Sequence, residues 1–246
     1  MIIFPAIDII NGQCVRLTQG DYEQKTIYHE QPAAVAKEFA AAGAELLHVV
    51  DLDGAKAGRP QNLAAVKAIV DAVDIPVELG GGLRSLDTVN EILELGVERA
   101  ILGSAVLQSP PWLAAAVERW GARIVVGIDA RDGMAAVSGW QETTAVSALE
   151  LALKMKAVGV AEIIYTDIAT DGMLQGPNLE QLRSMGRESG LKIVASGGVS
   201  SIADIVALRA LETDGVYAAI IGRALYTGHV NLKEAIQAGR GESHVG

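Results

Sequence analysis

The 246 residues contain one cysteine, Cys14, so no internal disulfide can form, and a reducing, cytoplasmic setting is expected. The plainest role for Cys14 is a small buried side chain. Basic residues are in deficit: 20 Lys and Arg stand against 30 Asp and Glu, a balance that disfavours phosphodiester backbones and argues against a nucleic-acid partner. No apolar run approaches the roughly 18 to 20 residues that span a bilayer. The apolar opening MIIFPAIDII has neither a basic leader nor a small-residue cleavage signal. It reads as a strand, in a protein with no membrane partner. No His and Cys cluster has ligand spacing, so no metal is expected. The GxGxxG fingerprint, the P-loop and the GxSxG elbow are also missing, which argues against dinucleotide, ATP and serine-hydrolase chemistry.

Short β-branched runs alternate with longer stretches of helical periodicity, the pattern of repeated βα units building a parallel sheet. The predicted strands are residues 2–8, 46–51, 76–80, 100–103, 124–129, 163–167, 193–196 and 218–222, each ending in Asp, Ser or Gly. Between them, Leu63, Val66, Ile69, Val70 and Val73 form an apolar stripe along one helix. Ser109 before Pro110, and Ser201 with Asp204, read as helix starts.

No linker breaks this rhythm, and residues 1–246 read as a single domain. An internal repeat strengthens the reading. PAID ending at Asp8, VVD at Asp51, Asn62, Gly81-Gly82 and ILG at Gly103 are answered by GID at Asp129, TD at Asp167, Asn178, Gly197-Gly198 and IIG at Gly222. Asn62 to Asn178 and Gly82 to Gly198 are both separations of 116 positions. Two halves, approximately 1–122 and 123–246, of four βα units each predict an α/β fold: a single (β/α)8 TIM barrel with an internal twofold, half-barrel repeat. A doubly wound open sheet is the alternative, though a duplicated half does not naturally give its strand order.

In such a barrel the strand C-termini and the loops after them form the active face. Asp8 and Asp129 end strands one and five, on opposite sides, where two carboxyls could serve as general base and general acid toward one small substrate. Each could instead cap a helix or bind a loop amide. Gly81, Gly82, Gly103 and Ser104 follow strands three and four; Gly197, Gly198, Gly222 and Arg223 follow strands seven and eight. Glycines there let backbone N–H groups approach an anion, or simply permit tight turns. Two matched sets suggest an elongated substrate with a phosphate at each end.

Other residues admit two readings each. His48 lies inside the second strand, as a core histidine or as a substrate contact, whereas His29, His229 and His244 look like loop or terminal residues. The loop over residues 11–31 carries Arg16, Gln19, Asp21 and Tyr22 and is either a lid or an ordered hairpin. Trp140, after Ser138-Gly139, could stack on a planar ring or anchor its loop. Asp171-Gly172 also fits a plain turn.

Seven ordered blocks, PAIDIINGQCVRLTQGDY, HVVDLDGAKAG, ELGGGLRS, GIDARDGMAAVSGW, YTDIATDGMLQGPN, ASGGVSS and IIGRAL, span essentially the whole chain. Together they resemble the phosphoribosylformimino-aminoimidazole carboxamide ribotide isomerases of histidine biosynthesis. The resemblance implies a cofactor-free Amadori rearrangement of an aminoaldose to an aminoketose. It implies that Asp129 protonates the ribose ring oxygen and that Asp8 removes the C2′ proton. It further implies that Thr166 and Asp171 assist this pair, and that His48, Arg16, Arg84 and Trp140 contact or enclose the substrate. The expected partner is a small bisphosphorylated molecule, and the expected state a monomer. The rivals are a bifunctional relative that also isomerises phosphoribosylanthranilate, the cyclase of the same pathway, and a non-catalytic barrel that binds phosphate ligands. The PAID opening and the SGW loop favour the isomerase over the cyclase.

Overall fold

The computed structural model describes residues 1–18, 21–103, 106, 110–137, 140 and 142–242. Ser104 of the first predicted phosphate cradle, and Gln19, Ser109, Ser138, Gly139 and His244, lie outside the described residues.

The strands in chain order are β1 (Ile2–Ile10), β2 (Gln13–Thr18), β3 (Asp21–His29), β4 (Leu47–Asp51), β5 (Val77–Gly80), β6 (Arg99–Leu102), β7 (Ile124–Arg131), β8 (Met134–Val137), β9 (Glu142–Ser147), β10 (Glu162–Asp167), β11 (Lys192–Ser196) and β12 (Val216–Ile221). Eight of them pair in parallel in the order β1-β4-β5-β6-β7-β10-β11-β12, and β12 pairs back with β1. The sheet therefore closes into an eight-stranded barrel, and the open-sheet alternative falls. Each predicted strand is present with ends shifted by at most two residues.

Helices cover the outside: α1 (Pro32–Ala41), α2 (Leu52–Ala57), α3 (Leu63–Ala72), α4 (Leu86–Glu94), α5 (Pro110–Trp120), α6 (Ala148–Ala157), α7 (Leu179–Ser189), α8 (Ile202–Arg209), α9 (Arg223–Tyr226) and α10 (Leu232–Arg240). Ser85, Ser147 and Ser201 cap α4, α6 and α8 through their side chains, and Ser201 with Asp204 forms the full capping box expected from their spacing. In α3, Val66 and Ile69 are buried while Leu63 and Val70 pack beside them; the helix stops before Val73, which is extended.

Side-chain alternation along each strand separates two cores. Ile3, Ile7, Ile9, Leu47, Val49, Val77 and Leu79 point outward under the helices. Phe4, Ala6, Ile101, Val125, Ile164, Val194 and Ala218 fill the barrel interior. Ile7, Leu47 and Leu79 have no exposure, and burial of each such side chain contributes about 2 kcal/mol.

The half-barrel repeat extends to the hairpins after the first and fifth barrel strands, of which the sequence offered only the first. After β1, Asn11-Gly12 turns the chain with φ of 50° and 73°; after β7, Asp132-Gly133 does the same with φ of 51° and 76°. Left-handed φ at both central residues is the two-residue hairpin geometry that Asn-Gly and Asp-Gly favour. Antiparallel hairpins follow both strands, β2 on β1 and β8 on β7. The described residues of the segment 11–31 thus form paired strands of an ordered hairpin, and Leu17, Asp21 and Tyr22 from it line the barrel mouth.

Candidate active site

Four aspartates stand at strand ends, and strand parity divides them. Asp8 shares its face with Phe4 and Ala6, and Asp129 shares its face with Val125 and Gly127, so both point into the barrel mouth. Asp51 follows Leu47 and Val49, and Asp167 follows Ile163 and Tyr165, so both point outward. Asp51 is fully buried and accepts hydrogen bonds from the N–H groups of Gly54 (2.8 Å), Gln61 (2.6 Å) and Asn62 (2.9 Å) and from Asn62 Nδ2 (2.7 Å). In the second half Asp167 accepts from the Ala169 N–H (2.9 Å) and Asn178 Nδ2 (2.8 Å). The outward pair ties loops together; the inward pair faces a cavity.

The two inward carboxyls have different surroundings. Asp8 pairs with Arg16, whose Nη1 lies 2.6 Å from Oδ2, while Nη2 donates to the Ala6 carbonyl at 2.6 Å. The Arg16 guanidinium lies 5.1 Å from the Tyr226 ring centre, and its Nε has no hydrogen-bond partner among the described residues. Asp129 has no such cation among the described residues. Burial pushes its carboxyl up from the ordinary value, with hydrogen bonds from Trp140 and Thr166 and the nearby His48 pulling the other way. Trp140 thus meets the Asp129 carboxyl, and it does so with a left-handed backbone, φ 72°, a conformation that costs a bulky residue on the order of 1–3 kcal/mol and is held by its surroundings.

Asp171, on the loop after β10, is the third carboxyl. Burial raises its pKa to about 6; Arg16 opposes the rise, and Asp8 and Asp129 add to it. Burial thus shifts the Asp171 carboxyl toward the neutral form beside Asp8 and Asp129, an arrangement suited to electrostatic support of a proton transfer.

These groups line one cavity of about 960 Å³ at the strand C-termini, roughly the upper size of a small-molecule site. Asp8, Arg16, His48, Gly81, Gly82, Arg84, Gly103, Asp129, Trp140, Thr166, Asp171, Gly197, Gly198, Gly222 and Arg223 all contribute to its wall. The matched glycines also have a packing reason. A Cβ on Gly81 would come 2.1 Å from the Asp51 carbonyl oxygen, and one on Gly197 would come 2.8 Å from that of Asp167, with φ of 109° and 94°. Gly103 differs: among the described residues nothing lies within 4 Å of its Cβ position. Arg84 is an exposed rim residue whose Nη2 reaches the Ala55 carbonyl at 3.4 Å. Arg223 Nη1 donates to the Gly172 carbonyl at 2.7 Å, fastening the Asp171 loop to the end of β12.

Two residues were not singled out from the sequence. Lys56 lines the cavity and lies 5.4 Å from the Tyr22 ring centre, inside the HVVDLDGAKAG block. Glu78 sits behind His48, fully buried, in a strand whose four residues are all buried. A charge in such a strand was the available signal.

A family model described as histidine biosynthesis protein matches residues 2–231. Proteins called 1-(5-phosphoribosyl)-5-((5-phosphoribosylamino)methylideneamino)imidazole-4-carboxamide isomerase are similar over nearly all of the chain. That of Syntrophomonas wolfei is 52% identical over 96% of this chain and 98% of its own length. The Desulforamulus reducens protein is 49% identical over 100% of both. That of Geobacter sulfurreducens is 52% identical over 96% of this chain and 97% of its own. The chain belongs to the histidine biosynthesis protein family.

Proposed function

We propose that the chain is an aldose–ketose isomerase of histidine biosynthesis, converting a bisphosphorylated imidazole carboxamide ribotide from its aminoaldose to its aminoketose form. The observation that carries this reading is the inward pair Asp8 and Asp129, on opposite walls of one cavity, with one carboxyl paired to Arg16 and the other shifted upward by burial.

Asp129, protonated, gives its proton to the ribose ring oxygen as the C1′–O bond breaks and an imine forms at C1′. Asp8 takes the C2′ proton, the electrons of that C–H bond become the C1′=C2′ bond of an enolamine, and the π pair of the protonated C1′=N bond returns to nitrogen. Proton return to C1′ and loss of the C2′ hydroxyl proton leave a C2′ ketone. The rearrangement is redox neutral, since C2′ is oxidised as C1′ is reduced, so it calls for neither cofactor nor metal. Thr166 and Trp140 orient the acid through hydrogen bonds, Asp171 supports the pair electrostatically, and Arg16 and His48 contact the ribose between them.

The loops with Gly81, Gly82, Gly103 and Ser104, extended by Arg84, hold one phosphate. Those with Gly197, Gly198, Gly222 and Arg223 hold the other. Backbone N–H groups at such loops are anion donors. Residues 1–246 act as one domain and as a monomer in the cytoplasm. Compatible with that placement are the lone cysteine and the finding that no helix of the described residues is long and apolar enough to cross a membrane.

The test is turnover by the wild type of the bisphosphorylated aminoaldose and, separately, of phosphoribosylanthranilate. Turnover of the first alone supports the proposal, and turnover of both makes the enzyme bifunctional. Binding of the first without turnover, or no interaction with either, would overturn it.

A further inference from the structure

Barrel interiors are ordinarily filled by branched apolar side chains, yet here three ionisable groups meet on successive strands. His48 of β4 is the cross-strand neighbour of Glu78 of β5, and Glu78 that of Arg99 of β6. Glu78 is wholly buried. Its Oε2 accepts from Arg99, whose Nε lies at 3.0 Å. Arg99 is held in turn by Glu162, the first residue of β10, at 2.9 Å, and its guanidinium lies 5.5 Å from the Phe4 ring centre. The other oxygen, Oε1, has one partner among the described residues: Nδ1 of His48, at 2.7 Å.

That distance and that burial decide where the imidazole proton sits. Two acceptors do not face each other at hydrogen-bond distance away from water, so one of the pair is a donor. Arg99, a permanent cation with no acceptor, holds Glu78 as the carboxylate. The donor is therefore Nδ1–H. The ring's remaining nitrogen, Nε2, belongs to a side chain that lines the cavity with Asp8, Asp129 and Asp171. In the neutral ring it carries a lone pair, which suits a sugar hydroxyl as donor.

We infer that Glu78, backed by Arg99, is a positioning residue of this site: it fixes the tautomer and orientation of His48 and so sets the hydrogen bond that Nε2 presents to the substrate ribose. The kinetic part of this inference rests on the proposed isomerase reading; the structural part does not. A glutamine at position 78 makes a sharp contrast. Arg99 requires an acceptor, so the amide oxygen turns to Arg99 and the NH2 group faces Nδ1. The proton then moves to Nε2, and the group offered to the substrate changes from acceptor to donor.

The experiment is imidazole ¹⁵N NMR on the full chain, whose four histidines keep the spectrum simple, with His48 assigned by its loss in His48→Gln. At a pH where the ring is neutral, the wild type should show a protonated Nδ1 and a bare Nε2, and Glu78→Gln should show the reverse. A wild-type ring protonated on Nε2, or one averaging between tautomers, would overturn the inference, and that spectrum decides it even if Glu78→Gln does not fold. In turnover of the bisphosphorylated aminoaldose, Glu78→Gln should lower kcat/KM about 10- to 100-fold. The same change made in a His48→Asn background should lower it less than about threefold, because its effect runs through His48. Equal losses in both backgrounds would mean a purely structural role and would refute the inference. Absence of wild-type turnover would sink the isomerase reading while leaving the NMR result intact.

Discussion

Replacing Asp51 and Asp167 by alanine, one at a time, tests the claim that strand parity separates structural from chemical aspartates. Asp51 accepts four hydrogen bonds at zero exposure, three from backbone N–H groups and one from Asn62 Nδ2. Asp167 accepts two. Hydrogen bonds to a charged acceptor contribute about 1.5–3 kcal/mol each, and a buried donor left unpaired costs about 1–3 kcal/mol. Relaxation and water entry make these values less than additive, so about 4 kcal/mol is expected for Asp51→Ala and about 2 kcal/mol for Asp167→Ala. With a urea slope of about 3 kcal/mol per M, the unfolding midpoint should fall by about 1.3 M and about 0.7 M respectively. Neither carboxylate lines the cavity, so the folded fraction of both variants should keep its turnover. Equal midpoint shifts, or loss of turnover in a folded Asp167→Ala protein, would refute the reasoning.

Four further outcomes follow from the site. Because burial raises the Asp129 pKa, the acid is protonated below that raised value, and kcat/KM should fall as pH rises through it; a rate that climbs through the same range would contradict the assignment. Burial also lifts Asp171 from 3.8 to about 6, so its contribution to stability is full below about pH 4 and is lost as pH rises through 6. Asp171→Asn should thus be more stable than wild type at pH 7, by about 2 kcal/mol after allowance for partial exposure, with no gain at pH 4 in thermal unfolding. Gly81→Ala should fold poorly, since its Cβ would sit 2.1 Å from a carbonyl oxygen at φ 109°. Gly103→Ala, with no described residue within 4 Å of its Cβ position, should keep the wild-type melting temperature and raise KM, which circular dichroism and initial rates together would check.

Much of this arrangement is legible in the sequence because period-2 alternation and loop punctuation are local signals. The runs ending at Asp8 and Asp129 gave both the strands and the carboxyls, and counting back by two to Ala6 and Phe4, or to Gly127 and Val125, would also have predicted their inward direction. The hairpins after β1 and β7 are legible in principle from Asn11-Gly12 and Asp132-Gly133, but the second is hard to tell from a loop because its strands, Met134–Val137 and Glu142–Ser147, are short and only weakly alternating. The Arg16–Asp8 ion pair and the His48–Glu78–Arg99 line were not legible. The His48–Glu78–Arg99 line arises from register between strands far apart in sequence, 21 residues for Glu78 and Arg99, and no local pattern encodes that distance; the Arg16–Asp8 pair lies within one hairpin, 8 residues apart, and needs the β1–β2 register to be seen. The packing need of Gly81 for the Asp51 carbonyl is hidden for the same reason.

The central claim is that Asp8 and Asp129 act as a base and an acid on one substrate. Its most direct test is kcat for the bisphosphorylated aminoaldose in Asp8→Asn and Asp129→Asn, with circular dichroism verifying the fold. Loss of at least about a hundredfold in each folded variant is predicted, whereas near wild-type turnover in either would contradict the account.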